Sequence, residues 1–337
     1  METSLISGQE LESLGNRCDF SIYSGARILV TGGAGMVGSW LATSLVKIPS
    51  YQEALDLTVM SRRSAPYNLR DIWDMPNFSY IQKSVEEARL ESYDFIFHGA
   101  SAASPTQYLD SEKIFQANTK GAELLLQASP ALKQFVYLSS GEVYGASPPF
   151  QMKENFVGSF AEDLQRSSYP KAKLATENLI RQESLSSNFK STIIRLFHTF
   201  GPGLSPEDGR SFADFVWAIA NGKPPVLHST GDQIRAFLYL EDSVAGILNA
   251  AEQMTSVTVN VGSDIPMSIR QFAEIACKVS NLDIQPLFDF VQQTNEQSPI
   301  GRSVPSNELL KSFGWTQRYS VDEALTRTIR WAKSSGL

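Results

Sequence analysis

A glycine-rich segment, TGGAGMVG at residues 31–38, constrains the fold of this chain more than any other feature. It follows an apolar run at residues 27–30, which predicts a strand, and it leads into a stretch at 36–46, which predicts a helix. A glycine-rich turn between a strand and a helix is typical of the unit that binds dinucleotides in doubly wound α/β folds. The segment therefore predicts that the chain begins a parallel sheet here.

The GxxGxxG spacing assigns a role to each of its glycines. Gly32 permits the tight turn, Gly35 leaves room for a pyrophosphate beside the backbone, and Gly38 lets the helix pack close to the strand. The helix N-terminus, at Met36 and Val37, offers free N–H groups and a partial positive charge to phosphates. We predict that these residues bind NAD or NADP.

Strands and helices alternate as far as about residue 200. The patterns predict strands at 57–60, 78–81, 93–98, 134–138 and 191–196, and helices at 111–127 and 169–183. Apolar strands separated by helices indicate a parallel sheet covered on both faces. After the loop GPG, shorter elements are predicted at 212–220, 236–240, 257–261, 269–279, 306–313 and 321–333. The predicted fold class is α/β, a Rossmann doubly wound parallel sheet with a smaller C-terminal lobe.

This organisation predicts three parts of the chain. Residues 1–24 form a lead-in that packs on the surface or frays, and residues 25–200 form the NAD(P)-binding Rossmann domain. Residues 201–337 form mainly a substrate-binding lobe, with strands that could return to the main sheet. Ligands of open α/β sheets bind at the carboxyl ends of the strands, so the lobe is expected to cover that edge.

Composition excludes several classes of protein. An apolar fraction of 42% and a charged fraction of 19% suit a globular core, and a net charge of −7 gives no steering toward nucleic acid or acidic membranes. We expect no membrane span and no signal peptide, because the chain lacks an 18-residue apolar run and its first residues are mostly polar. A cytoplasmic protein is expected. Two distant cysteines and three histidines argue against a disulfide framework or a metal site.

The segment YPKAK places Tyr169 and Lys173 four residues apart on one face of a predicted helix. An ammonium group one turn from a phenol favours the phenolate, which predicts that Tyr169 is a base near neutral pH. Lys173 could also hold the cofactor ribose. This motif is weak alone, but it gains specificity downstream of the glycine-rich turn.

The segment SSGEVYG at 139–145 follows a predicted strand and supplies further candidates. Ser140 is predicted to hydrogen-bond the reacting oxygen and orient it toward Tyr169. Glu142 is a second candidate acid or base, weighed evenly against no role. Ser139 is predicted to satisfy backbone groups only.

The segment Ser61-Arg62-Arg63 follows the second predicted strand, where NAD-binding proteins usually carry an acidic residue. Arg62 and Arg63 would suit the 2′-phosphate of NADP. The alternative, two solvated loop arginines, is equally compatible with the sequence.

Together these segments resemble the extended short-chain dehydrogenase/reductases that modify nucleotide sugars, over about residues 27–331. The matching segments are TGGAGMVGS, FIFHGASAASPTQY, NTKGAELLLQA, SSGEVYG, YPKAK, FHTFGPG, DGRSFADFV, GDQIRAFLYLEDSVAGI and NELLKSFGWTQRYSVDEAL. The subgroup that the chain resembles most is the UDP-glucuronate decarboxylase-like one, through SAASPTQY, Glu142 and the DGR segment.

The resemblance implies oxidation of a nucleotide-diphosphate sugar at C4 to a transient ketone, followed by epimerisation, loss of water or decarboxylation. It implies Tyr169 as base, Lys173 as its partner and Ser140 as the assisting hydroxyl. The other residues that it implies are Ala100 for cofactor, His198, Arg210 and Arg235 for substrate, Asn118 as a brace, and Tyr144 and Gly145 as a pocket wall. A homodimer through the helices at 111–127 and 169–183 is also implied.

Two alternatives stay open: an NADPH-dependent reductase of 4-keto nucleotide sugars, and a non-catalytic NAD(P)-sensing protein on the same fold. The chain also departs from the family pattern. Gly141 stands where decarboxylases carry a hydroxyl residue, and Gly141-Glu142 stands where dehydratases carry Asp-Glu. His198 replaces the usual Asn before the GPG loop, and the acidic residue expected near Arg62 is missing.

Overall fold

A computed structural model describes residues 4–48, 55–64, 67–101, 111–145, 151–158, 160, 168–289 and 301–337. The strands are β1 Arg27–Thr31, β2 Asp56–Ser61, β3 Phe78–Gln82, β4 Phe95–His98, β5 Gln134–Ser140, β6 Lys190–Leu196, β7 Thr199–Phe200, β8 Val226–Leu227, β9 Ile234–Arg235, β10 Leu238–Tyr239, β11 Val257–Val261, β12 Met267–Ser268, β13 Leu287–Phe288 and β14 Arg302–Ser303. The helices are α1 Gly8–Arg17, α2 Met36–Lys47, α3 Ser111–Ala128, α4 Ser168–Ser186, α5 Ser211–Ala220, α6 Leu240–Glu252, α7 Ile269–Val279, α8 Glu308–Ser312 and α9 Val321–Ser334.

Seven of the described strands form one parallel sheet in the order β11-β6-β5-β4-β1-β2-β3. The sheet is buried on both faces except at its edge strand β3, where side chains are partly exposed. Ile28 and Val30 of β1 belong to a core with α2 and α6, whereas Leu29 between them belongs to a second core with α3 and α4. Successive side chains of a strand point to opposite faces, so two helical layers cover this sheet. The predicted Rossmann α/β class is confirmed.

The C-terminal part of the chain contributes to two places. Strand β11 pairs with β6 and so extends the main sheet. Short strands build the rest: β9 lies between β12 and β14, β7 pairs with β10, and β8 pairs with β13. Helices α5, α7 and α9 pack against one another beside these strands. The pairing of β9 holds its last residue, Arg235, opposite Met267.

The described residues before β1, from Ser4 onward, pack against the rest of the protein. Helix α1 has a capping box, in which Ser7 and Glu10 satisfy each other's backbone N–H groups. Leu14, Phe20 and Tyr23 are at most 1% exposed, so this segment contributes to the core.

Most predicted elements are confirmed within two residues, but α6 was not predicted. The short element predicted at 236–240 is a strand at Leu238–Tyr239, and its last predicted residue, Leu240, is the first residue of α6. Every residue of α6 from Leu240 to Ala251 is buried. Its polar residues Glu241, Asp242 and Asn249 are buried because Arg17, distant in sequence, bonds to all three. Within the described ranges, no helix has the length and apolarity needed to cross a membrane.

Candidate active site

The glycine-rich turn follows β1 and begins α2, and its backbone is packed tightly. Gly32 has a φ of 68°, in the left-handed region that favours glycine. A Cβ on Gly32 would lie 2.7 Å from the carbonyl carbon of Gly99, and one on Gly38 would lie 2.5 Å from the Gly32 oxygen. Both positions therefore require glycine. Gly38 allows α2 to pack close to the strand and turn before it, as the GxxGxxG spacing predicts.

The other two glycines of the turn differ in role. A Cβ on Gly33 would lie 2.5 Å from Val59 Cγ1, so Gly33 allows β2 to pack against the turn, a role that the sequence analysis missed. Gly35 is the N-cap of α2 and makes no side-chain cap, and a Cβ there would meet only the Gly32 oxygen, at 3.2 Å. The N–H groups of the first turn, from Met36 onward, thus remain available to an anion. These residues fit the pyrophosphate of a dinucleotide.

The end of β4 lies directly beside this turn. The backbone N–H of Gly99 donates to the Thr31 carbonyl at 3.1 Å, and that of Ala100 donates to Thr31 Oγ1 at 3.2 Å. Ala100 is therefore placed next to the predicted cofactor turn. Ser101 follows, and its hydroxyl donates to Asn118 Oδ1 at 2.9 Å. Asn118 is buried in α3 and thus links that helix to the strand end.

The arginines after β2 are exposed. The loop is anchored rather than free, because the N–H of Arg63 donates to Ser61 Oγ at 3.3 Å and the Tyr80 hydroxyl donates to the Arg63 carbonyl. Asp56, the acidic residue of β2, lies at the opposite end of the strand. Arg62 and Arg63 thus follow β2 at the same edge of the sheet at which the glycine-rich turn follows β1, without a carboxylate from β2.

Tyr169 and Lys173 lie in the first turns of α4, and both are buried. The ammonium of Lys173 donates to the Leu138 carbonyl at 2.7 Å and lies 5.8 Å from the Tyr169 ring centroid. Burial lowers the pKa of Lys173 to about 7, against the opposing charge of Glu177.

The sequence predicts that Lys173 lowers the pKa of Tyr169, but in the structure the pKa of this phenol is raised. Burial raises its pKa strongly and the charge of Glu142 raises it further, whereas hydrogen bonds with Ser140 and Ser101 and the charge of Arg210 lower it. Desolvation disfavours the phenolate more than these groups favour it. Two serine hydroxyls, not one, contact the phenol. Ser101 was missed because nothing distinguishes it from other polar residues after a strand.

The strand end before Tyr169 differs from prediction at Ser139. Its hydroxyl donates to Glu177 Oε1 at 2.6 Å, so it satisfies a buried carboxylate and not backbone groups. This correction follows from the neighbouring helix, which brings Glu177 under the strand. Ser140 Oγ accepts the N–H of Glu142 at 3.2 Å, in addition to its bond with Tyr169.

Glu142 is exposed, and its charge acts on both Tyr169 and Arg235. Tyr144 is directed to the interior, where its hydroxyl donates to Asn260 Oδ1 at 2.7 Å. Gly145, with a φ of 78°, ends the short 3-10 helix that carries them.

Gly141 has a structural explanation. A Cβ at this position would lie 2.7 Å from the ring of Phe197, which is 6% exposed. A hydroxyl-bearing side chain at 141 would therefore require the Phe197 ring to move. The ring takes the space beside the strand end where the resemblance places a hydroxyl group.

The three predicted substrate residues, Arg235, Arg210 and His198, come from different segments. Arg235 is 8% exposed and donates to the Ile234 carbonyl at 2.9 Å, and burial lowers its pKa against the charge of Glu142. Arg210 is paired with Asp208 at 2.6 Å. Burial and the charges of Arg235 and Arg210 hold the pKa of His198 well below its usual range.

Electrostatic interactions that shift pKa values link five residues, which therefore lie in one site: Glu142, Tyr169, Arg210, His198 and Arg235. The site combines two arginines, suited to phosphate groups, with a phenol, two serine hydroxyls and a buried lysine near the glycine-rich turn. Among the described residues no three His, Cys, Asp or Glu side chains are grouped to hold a metal ion. The arrangement suits removal of a proton from a hydroxyl of an anionic substrate.

Comparison with known proteins identifies the family of this chain. Residues 28–262 match the model of the NAD dependent epimerase/dehydratase family. The chain is 28% identical over 305 residues to UDP-glucuronic acid decarboxylase 1 of Arabidopsis thaliana, covering 90% of this chain and 69% of the relative.

Solved structures show the same fold. A UDP-N-acetylglucosamine 4-epimerase from Methanobrevibacter ruminantium superposes with a TM-score of 0.80 at 24% identity, covering 91% of this chain and 98% of the other. The UDP-glucuronic acid 4-epimerase of Bacillus cereus, solved with UDP-glucuronic acid and NAD, gives 0.77 at 20% identity, covering 91% and 99%.

Proposed function

Since this chain belongs to the NAD-dependent epimerase/dehydratase family, we propose that it oxidises C4 of a nucleotide-diphosphate sugar and rearranges the resulting ketone. The observation that carries the proposal is the position of the Tyr169 phenol, between the Ser140 and Ser101 hydroxyls and close to buried Lys173. This is the arrangement that a base for a carbinol proton requires.

The chain's own groups divide the work as follows. Ser140 orients the substrate hydroxyl and Tyr169 takes its proton. Lys173 holds the cofactor ribose, and the charge of Arg210 together with the Ser140 and Ser101 hydroxyls favours the phenolate. Arg235 and Arg210 bind the diphosphate, and Glu142 is the exposed carboxylate that exchanges protons with the ketone's neighbouring carbon. NAD or NADP, held by the glycine-rich turn and Ala100, would accept the hydride and return it.

The rearrangement that follows oxidation depends on the residues beside the strand end. The relative named above is a UDP-glucuronic acid decarboxylase, and the two superposed structures are 4-epimerases. Because Phe197 fills the space beside Gly141, we favour a reaction that needs no hydroxyl at this position and uses Glu142 as acid or base. Epimerisation at a carbon next to the C4 ketone meets this requirement, because Glu142 can take the acidified proton from that carbon and a proton then returns to its opposite face.

The direct test is identification of the ligands that the purified protein carries, by mass spectrometry, followed by NMR of products from a panel of nucleotide sugars. We expect bound dinucleotide, and turnover of one sugar with no net change in NAD(P)H absorbance. Stoichiometric oxidation or reduction of the dinucleotide would contradict a cofactor that is recycled.

Arg62 and Arg63 favour a second candidate, an NADPH-dependent reductase of 4-keto nucleotide sugars. Exposed guanidinium groups beside the turn suit a 2′-phosphate. Replacing both with Ala is expected to weaken NADP⁺ binding at least 10-fold, which is about the contribution of one charge-assisted contact. NAD⁺ binding is expected to stay unchanged. Equal effects on both dinucleotides would assign these arginines to the solvated loop.

A homodimer is also part of the proposal. Helices α3 and α4 pack side by side, and Phe115 and Leu185 on them are 41% and 88% exposed. Light scattering at working concentration is expected to give twice the mass of 37.2 kDa. A monomer would remove this part of the proposal only.

A further inference from the structure

Lys173 is connected to the glycine-rich turn through side chains of three adjacent strands. At the end of β1, Thr31 Oγ1 accepts the Ala100 N–H and lies 2.7 Å from Nδ1 of His98. The His98 ring stacks on Tyr137 of β5, with centroids 5.8 Å apart and planes at 25°. The Lys173 Nζ lies 4.7 Å from the centroid of the Tyr137 ring.

This connection is buried throughout. His98 and Lys173 are each 1% exposed and Tyr137 is 0% exposed. The ammonium has one described hydrogen bond, to the Leu138 carbonyl, while the oxygens of Glu177 one turn along are bonded to Ser139, Arg181 and Arg195. A desolvated ammonium over an aromatic face gains more than an exposed one does, so the Tyr137 ring is a principal contact of Lys173.

The charge of this cluster is carried by Lys173. The titratable groups that face it are His98 from β4, Tyr137 from β5, and Tyr169 and Glu177 from α4 itself. Burial, together with the charge of Lys173, lowers the pKa of His98 to about 3, so this ring is neutral and stacks without repelling the ammonium.

We propose that Tyr137 is a positioning residue that holds the Lys173 ammonium with its ring face, and that His98 ties this ring to the glycine-rich turn. The inference rests on the proposed function, in which Lys173 holds the cofactor ribose. One buried unit then sets both the turn that receives the pyrophosphate and the lysine that reaches the ribose.

The test compares Tyr137→Leu, which removes the ring face, with Tyr137→Phe, which keeps it. NAD⁺ and NADP⁺ are titrated against each protein from mildly acidic to alkaline pH, a range that brackets the Lys173 pKa of about 7. Because the ring favours protonated Lys173, its loss is expected to lower the pH at which dinucleotide affinity falls, by about half a unit to one unit. Tyr137→Phe is expected to keep the wild-type midpoint.

Superimposable pH profiles for the Leu and Phe variants would overturn the positioning role. A wild-type protein that binds neither dinucleotide would instead overturn the proposed function. If circular dichroism shows that Tyr137→Leu does not fold, Tyr137→Met fills a similar volume without a ring and is judged by the same midpoint. A role in packing alone would lower stability in Leu and Met variants without moving that midpoint.

Discussion

Two neighbouring turns of α4 bury opposite charges in different ways. Glu177 is 0% exposed, and its oxygens accept from Arg195 at 2.8 and 3.1 Å, from Arg181 at 2.7 Å and from Ser139 at 2.6 Å. Lys173, four residues earlier, is equally buried but has one carbonyl and two ring faces as its contacts. The pKa values follow this difference. Burial raises the pKa of Glu177, but Arg195, Ser139 and Arg181 together outweigh burial and the net shift is downward, whereas burial lowers the pKa of Lys173 to about 7.

The difference separates stability from chemistry within one helix. A buried charge whose hydrogen bonds are all made stays ionised and locks the helix to β5 and β6. A buried charge with few partners can change protonation near neutral pH, which is what an acid–base site requires. Substitutions at the two turns should therefore act on different quantities, and the two types of burial can be separated by experiment.

The largest expected effect is on activity, from Tyr169→Phe beside Lys173. Removing the general base is expected to lower kcat about 10²- to 10⁴-fold on whichever nucleotide sugar is turned over. The thermal midpoint and dinucleotide affinity should change little, because the ring stays in place. Unchanged turnover would exclude Tyr169 as the base and revive the non-catalytic NAD(P)-sensing alternative.

Glu177→Gln is expected to give the next largest effect, on stability. Leaving Arg195 buried without its carboxylate should lower the free energy of unfolding by roughly 3–5 kcal/mol, measured by urea denaturation. The pKa of Glu177 is lower in the folded protein than in the unfolded chain. The stability that wild type has over the variant is therefore at its maximum above the ordinary pKa of a glutamate, and it is lost as the pH falls through the folded pKa. The exposed Glu183→Gln on the same helix is the control. Equal losses in both variants would show that the network contributes nothing special.

Lys173→Met should raise the free energy of unfolding, whereas Glu177→Gln should lower it. The folded pKa of Lys173, about 7, is below the ordinary 10.5, so the wild-type protein loses stability from burying the charge below pH 7. That loss disappears as the pH rises from the folded value toward the unfolded one. The inactive variant is expected to be more stable than wild type by about 0.5–2 kcal/mol at neutral pH, with a difference that shrinks at alkaline pH. Exposed Lys171→Met serves as the control, and a destabilised Lys173→Met would contradict the comparison.

The smallest effect is expected from Arg181→Met, at the outer edge of the Glu177 network. The Arg181 side chain is 36% exposed, so its ion pair with Glu177 should be worth about 0.3–1 kcal/mol and should weaken in high salt. The free energy of unfolding of Arg181→Met is measured at low and high salt and compared with that of Arg195→Met, which removes the buried arginine of the same network. A loss from Arg181→Met as large as from Arg195→Met would mean that exposure does not screen this pair.

Local patterns were sufficient for the parts of the site that lie within one turn of the chain. The glycine spacing placed Gly32, Gly35 and Gly38 on a strand–turn–helix unit, and YxxxK placed Tyr169 and Lys173 on one helix face. Both patterns work because the required geometry is set by neighbouring residues. They did not reveal Gly33, whose need for glycine comes from Val59 in the adjacent strand.

The sequence by itself determined the fold class, the order of strands and helices along the chain, and the family resemblance. These follow from alternating apolar runs and short motifs, which depend on local chemistry. Only the tertiary structure decided which groups meet: Ser101 with Tyr169, Glu177 with Ser139 and Arg195, and Tyr137 with Lys173. It also decided the protonation of these groups, because desolvation and distant charges act through space and leave no mark on local sequence.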